Sequence, residues 1–198
     1  MSELFSLLNK NIDSVKSALD NLLRSPAQIE AFNLAASVVL NSYRNNGRLY
    51  LAGNGGSAAD AQHVAAEFVS KLARERAPLP AEALTVDSSV LTSIGNDFGF
   101  KYIFSRQLIA KLNSQDVFLG ITTSGNSENI IEAIKVCSSK KIPSIVFTGR
   151  DGGNVTKIAD LSIVVRGDKT STIQEAHILL GHTLCEFVES KIFFENRG

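Results

Sequence analysis

The stretch RLYLAGNGGSAADAQHVAAEF, residues 48–68, decides how the chain folds. It opens as a short apolar run ending at Gly53, crosses Asn54-Gly55-Gly56-Ser57, and continues at once into an alanine-rich segment with helical spacing. An apolar run of this length bounded by glycines reads as a buried strand, and a direct passage into a helix is the first half of a β-α-β unit. Working outward, four more such runs follow: AEALTV (81–86), DVFLGIT (116–122), PSIVFTG (143–149) and LSIVV (161–165). Helical stretches separate them, at Ser57 to Leu72, between Ser88 and Leu112, at Glu128 to Lys140, and briefly near Val155 to Ala159. Strand–helix alternation of this kind predicts an α/β fold, a doubly wound five-stranded parallel sheet flanked by helices on both faces.

Before the first strand, Leu4, Leu8, Ile12, Val15, Leu19 and Leu22 recur at threes and fours, the stripe of an amphipathic helix with one buried face. Ser25 and Pro26 then suit an N-cap and a first helical turn, so a second helix runs through Ile29, Phe32, Ala36, Val39 and Tyr43 until Asn46-Gly47 ends it. The last helix, Thr172 to about Phe193, is apolar on more than one side. Ile173, Ala176, Leu180, Leu184 and Phe187 form one stripe; Ile178, Cys185 and Ile192 lie on another, expected to meet a second subunit. No repeat or linker divides the chain, so residues 1–198 are expected to form a single domain, with helices in 1–46 packing in an oligomer and an αβ sandwich over 47–198.

Composition narrows the function. Twenty Lys+Arg balance twenty Asp+Glu among 198 residues, which gives no global attraction to a polyanion and argues against nucleic acid as a partner. The 44% apolar content is that of a globule, and the N-terminal segment carries too many polar residues for a signal peptide or a membrane span. A cytoplasmic protein without a membrane partner is expected. Cys137 and Cys185 have no CxxC or knuckle spacing and read as reduced thiols.

A local anion site remains open. Asn54, Gly55, Gly56 and Ser57 gather backbone N–H groups at a helix start, the outline of an anion cradle, although a tight turn accounts for much of this without a ligand. Neither GxGxxG nor a P-loop is present. After the third strand, Thr122, Thr123, Ser124, Gly125, Asn126 and Ser127 place four hydroxyls and an amide at a second helix start, suited to the oxygens of a phosphate monoester. Either loop could instead bind only water, but ligands of doubly wound sheets sit at this end of the strands.

At these residues the chain resembles the sugar isomerase (SIS) domain family, and within it the phosphoheptose isomerases. The segments AGNGGSAADAQHVAAEF (52–68), SIGNDFGFKYIFSRQ (93–107), TTSGNSENIIEAIK (122–135), FTGRDGG (147–153) and IQEAHILLGH (173–182) carry the resemblance over nearly the whole chain. It implies a flavodoxin-like strand order, conversion of sedoheptulose 7-phosphate to D-glycero-D-manno-heptose 7-phosphate, and a homotetramer with active sites between subunits. It implies substrate contacts at Asn54, Gly55, Gly56, Ser57, Glu67, Asn96, Asp97, Thr122, Thr123, Ser124, Ser127 and Gln174, and chemistry at Glu67 and His182. Some members look to bind one zinc ion per subunit through positions matching His63, Glu67, Gln174 and His182, with no organic cofactor. Heptose for lipopolysaccharide core or capsule is the implied product use. The family often has Arg where this chain has Lys71 and Thr172, and lysine offers a point charge in place of a fork.

Aldose–ketose isomerisation needs one base at carbon and one acid at oxygen. His63 and Glu67, four apart, face one way on their helix, opposite Ala58, Ala61, Ala65, Val69 and Leu72; alone they read as an exposed polar face with an ion pair. His177 lies within the apolar stripe of the last helix and reads as a core or interface residue, whereas His182 lies off it. Glu67 is expected to take the proton beside the carbonyl while His182 serves the oxygens. Gln174 and His182 are eight residues apart, roughly 12 Å along a helix, so joining one metal requires both to lean inward or different subunits to contribute. A non-catalytic SIS scaffold that senses phosphosugars or binds a partner such as a replication-initiation protein, and an isomerase of another ketose phosphate, are the alternatives; a scaffold has no need of Glu67 with His63 and His182.

Overall fold

A computed structural model describes residues 2–195. Two helices open the chain, α1 (Glu3–Leu23) and α2 (Pro26–Arg44). The alternating part follows as β1 (Leu49–Gly53), α3 (Gly56–Val69), β2 (Ala81–Ala83), α4 (Ser88–Asp97), α5 (Ser105–Lys111), β3 (Val117–Thr122), α6 (Glu128–Lys140), β4 (Ser144–Gly149), β5 (Leu161–Val165) and α7 (Thr170–Glu189). All pairings are parallel in the order β2-β1-β3-β4-β5, with Leu49 opposite Ala81 and Val117, Phe118 opposite Ser144, and Ile145 opposite Leu161. This is the expected doubly wound sheet in flavodoxin-like order.

Burial on both faces explains why the central strands lack polar alternation: every residue of β1, β3 and β4 is buried. Leu51, Leu119 and Phe147 point into one core with Val64 and Phe68 of α3, Val39 of α2 and Leu184 of α7. Their neighbours Tyr50, Phe118 and Val146 enter the other, with Phe104, Leu108, Ile130 and Ile134. The chain leaves β1 for β2 on one side and returns to β3 on the other, so the loops after β1 and β3 flank the point where winding reverses.

The second strand stops at Ala83, three residues short of the expected Val86; as the edge of the sheet it lacks a further neighbour, and short edge strands limit unwanted pairing. The segment between Ser88 and Leu112 divides into α4, a 3-10 turn and α5, and the short helix near Val155 is a 3-10 turn over Asn154–Lys157. Ser25 occupies the N-cap of α2 but its side chain makes no capping bond. Only the second half of the α1 stripe packs within the chain, through Ala18 and Leu22, while Leu4, Leu8 and Ile12 are exposed. Cys185, expected on an outward face of α7, lies in the core; Leu179 and Phe187 face out instead. Both cysteines are free, and burial pushes their thiols up to about 12. Among the described residues, no helix is long and apolar enough to cross a membrane.

Candidate active site at the ends of strands β1 and β3

The loop after β1 turns on Gly55, which holds the N-cap position of α3 at φ +55° and offers no side-chain cap. The amides of Ser57, Ala58 and Ala59 bond back to Asn54 and Gly55, so Ser57 sits inside the first turn, nearly buried, and is not itself the cap. Gly56 meets Gln174 of α7 so closely that a Cβ there would lie 2.2 Å from the Gln174 amide nitrogen. A side chain there would push the Gln174 amide away from the loop.

After β3, the hydroxyls of Thr122 and Ser127 bond each other at 2.9 Å, and Ser124 Oγ accepts from the Asn126 amide at 3.2 Å. The loop after β4 supports this turn: Asn154 N donates to Asn126 Oδ1, and Val155 N donates to the Gly125 carbonyl. The two candidate anion loops are joined by a residue that sequence reading passed over. Asn129, buried in the first turn of α6, exchanges two amide hydrogen bonds with Asn54, at 2.8 and 2.9 Å. An asparagine near a helix start reads as ordinary capping chemistry, so nothing local marks it.

Two turns along α3, His63 and Glu67 meet His182 of α7. His63 Nε2 stands 2.8 Å from His182 Nε2 and 3.4 Å from Glu67 Oε1, and one ligating atom from each residue lies within 4.8 Å of the others. The core face of α3 is Ser57, Ala61, Val64, Ala65 and Phe68, with Val69 exposed. That is rotated from the expected Ala58–Val69 stripe, and it swings Glu67 from full exposure to the flank beside α7. Their side chains are accordingly 50% and 21% exposed for His63 and Glu67. The helices close on each other because Gly181, next to His182, lacks a Cβ that would fall 2.5 Å from Val64 Cγ2. Asp60, on the same flank one turn earlier, has one carboxylate oxygen buried without a partner; burial raises its carboxyl above the usual range, against the lowering effect of His63.

Two imidazoles and a carboxylate are a zinc-type donor set. Ligand atoms on a tetrahedral zinc stand about 3.3 Å apart, so the His63–Glu67 spacing fits, while the two rings, at direct hydrogen-bonding distance, need to part by about half an ångström. Gln174 rests against Gly56, seven residues before His63 or roughly 10 Å along α3. Within one chain it therefore belongs with the loop rather than the trio. Asn96 and Asp97 close α4, exposed and hydrogen-bonded to each other, with no bond to the other site residues among those described. Thr123 is half-buried in its loop, Lys71 is exposed just beyond α3, and Thr172 is buried in the first turn of α7. A cavity of about 1300 Å³ opens between α1 and the loops after β4 and β5, reaching Thr172, Arg150 and Arg166 but not the trio, which is partly exposed. His177 is 1% exposed and donates Nε2–H to the Thr148 carbonyl at 3.0 Å; burial lowers its pKa from 6.5 to about 4.

The SIS domain family matches residues 12–149. A phosphoheptose isomerase of Aneurinibacillus thermoaerophilus is 44% identical over 94% of each chain. The structure of phosphoheptose isomerase GmhA from Neisseria gonorrhoeae superposes with a TM-score of 0.84 at 40% identity, covering 94% of this chain and 97% of that one. A phosphoheptose isomerase structure from Francisella tularensis gives 0.88 at 34% identity, covering 96% and 100%. With this strand order, these loops and this extent of similarity, the chain belongs to the SIS domain family, among the phosphoheptose isomerases.

Proposed function

We propose that this chain isomerises sedoheptulose 7-phosphate to D-glycero-D-manno-heptose 7-phosphate. The observation that carries the reading is the convergence of Glu67 and His182 from two helices, beside two hydroxyl- and amide-rich loops at the winding reversal. The phosphate is held by the Asn54–Ser57 loop and by Thr122, Thr123, Ser124 and Ser127, which offer neutral donors to its oxygens. Glu67 removes a proton from C1 of the ketose, giving an enediol, and returns it to C2; His182 moves the hydroxyl proton from O1 to O2. No atom is gained or lost. With Nε2 atoms 2.8 Å apart, one of His63 and His182 donates while the other accepts, which fixes the two rings relative to each other.

His63, Glu67 and His182 would hold a zinc ion, with Gln174 joining from a rotated side chain or another subunit. The chemistry such an ion supplies is Lewis-acid polarisation of the sugar carbonyl. Metal analysis of protein purified without chelator reads occupancy, and full activity after complete zinc removal rejects a catalytic role. A homotetramer with shared sites supplies what one chain lacks: a cover for the exposed Leu4, Leu8 and Ile12, and contacts that bring Asn96 and Asp97 to a neighbour's partly exposed trio. A cytoplasmic step toward lipopolysaccharide-core or capsule heptose fits this substrate. The test is incubation with sedoheptulose 7-phosphate: aldoheptose 7-phosphate is expected, and folded protein that yields none overturns the reading.

A further inference from the structure

Arg76 lies in the loop between α3 and β2, beside Arg74 and Glu75. Its side chain is 1% exposed, and that of its partner Glu189 is 2% exposed. The guanidinium closes the carboxyl end of α3: Nη2 donates to the Glu67 carbonyl at 2.8 Å, and Nη1 donates to the carbonyls of Phe68 at 2.6 Å, Ala77 at 3.1 Å and Ser70 at 3.3 Å. Nε faces Glu189 Oε2 at 3.7 Å, while Glu189 Oε1 accepts from the Arg74 amide at 3.1 Å. Glu189 is the last residue of α7. One buried ion pair therefore ties the end of α3, at the backbone of Glu67 itself, to the end of the helix that carries His182.

Stability alone is a poor account of this arrangement. Burying two charges costs much of what their attraction returns, and an apolar pair of similar volume often serves as well. Arg76 Nε and Glu189 Oε2 are also left without a hydrogen bond, which a pair selected for stability would not leave. The forked side chain does something an ordinary helix cap cannot: it references the Glu67 backbone to α7. We infer that Arg76 and Glu189 are positioning residues that clamp Glu67 at its working distance from His182, an inference that rests on the isomerase reading above. Gly181 sets how closely the two helices approach, and the clamp sets where along its axis each one stops.

The experiment compares the full-length chain with R76K and with R76M/E189M. R76K keeps the charge but has no fork to span the carbonyls; the double variant removes both charges together, so no unpaired ion is left buried. The expected result is that both variants fold with a lowered melting temperature, because the carbonyls of Glu67, Phe68, Ser70 and Ala77 lose donors, and that kcat falls by about 10- to 100-fold with KM moved by less than about threefold, as for a misplaced catalytic group. A second readout needs no turnover. The His63 and His182 rings have centroids 5.0 Å apart, so their ring protons give a nuclear Overhauser contact that weakens in both variants, with the buried His177 ring as an unchanged internal standard. An unchanged contact between those rings overturns the clamp, as does a kcat at the parent level in a folded double variant. If the double variant fails to fold, R76K decides by the same two measurements. A parent chain without turnover overturns the isomerase reading alone, because the ring contact still reads the clamp.

Discussion

The three histidines divide by burial. His63 and His182 share a half-open shelf with Glu67, whereas His177 is sealed beneath the sheet end with one nitrogen on a carbonyl. Glu67→Gln keeps the size of the side chain and removes its basicity, so kcat should fall by about 1000-fold or more, the full contribution of general acid–base catalysis, with circular dichroism and melting temperature unchanged. Near-normal turnover would remove Glu67 from the chemistry. His177 contributes to acid stability. The unfolded chain takes a proton on this ring near pH 6.5, and the folded chain refuses it until about pH 4. Stability from this group is therefore complete above pH 6.5 and declines by about 3 kcal/mol as the pH falls to 4. Denaturant titrations at pH 7, 5.5 and 4 should show the decline, and His177→Gln should flatten it. An equally steep decline in that variant would assign the effect to other groups.

Helices and loops set the next level of control. Gly181→Ala adds one methyl where Val64 already stands, at an overpacking cost of about 1 to 3 kcal/mol. Because His182 is the next residue, kcat should fall along with the melting temperature; a loss of stability with unchanged kcat would show that helix spacing does not matter to the site. The Asn54–Asn129 exchange joins the β1 and β3 loops, and Asn129→Ala removes both bonds. At about 1 kcal/mol for each net hydrogen bond, KM for the sugar phosphate should rise by up to about 30-fold, with a smaller change in kcat. Initial-rate measurements over a range of substrate concentrations separate the two parameters.

The whole molecule leaves apolar surface that its own core does not use. Leu4 is 77% exposed and Ile12 53%, on a helix whose second half is anchored in the core. Leu8→Lys with Ile12→Lys should leave the fold of each chain intact, shift the species seen by light scattering to a smaller assembly, and lower activity if sites are shared between copies. An unchanged mass would place the interface elsewhere.

Much of this architecture was legible from residue order alone, because burial on both faces forces continuous apolar runs such as Val117–Thr122 and each run is followed by the small, polar residues its turn needs. The two hydroxyl- and amide-rich loops and the His63–Glu67 pair were visible for the same reason, being contiguous or one helical turn apart. Asn129, Arg76 and Glu189 were not, since each matters through a partner distant in sequence and each looks locally like a cap or a surface charge. The rotation of α3 that turns Glu67 toward α7 was likewise hidden, because alanines on neighbouring faces cannot say which face is buried. By itself, then, the sequence determined the element order, the parallel sheet and the chemical types available. Only the tertiary structure decided which of those groups meet, because helix rotation and the α3–α7 approach depend on packing between segments more than 100 residues apart.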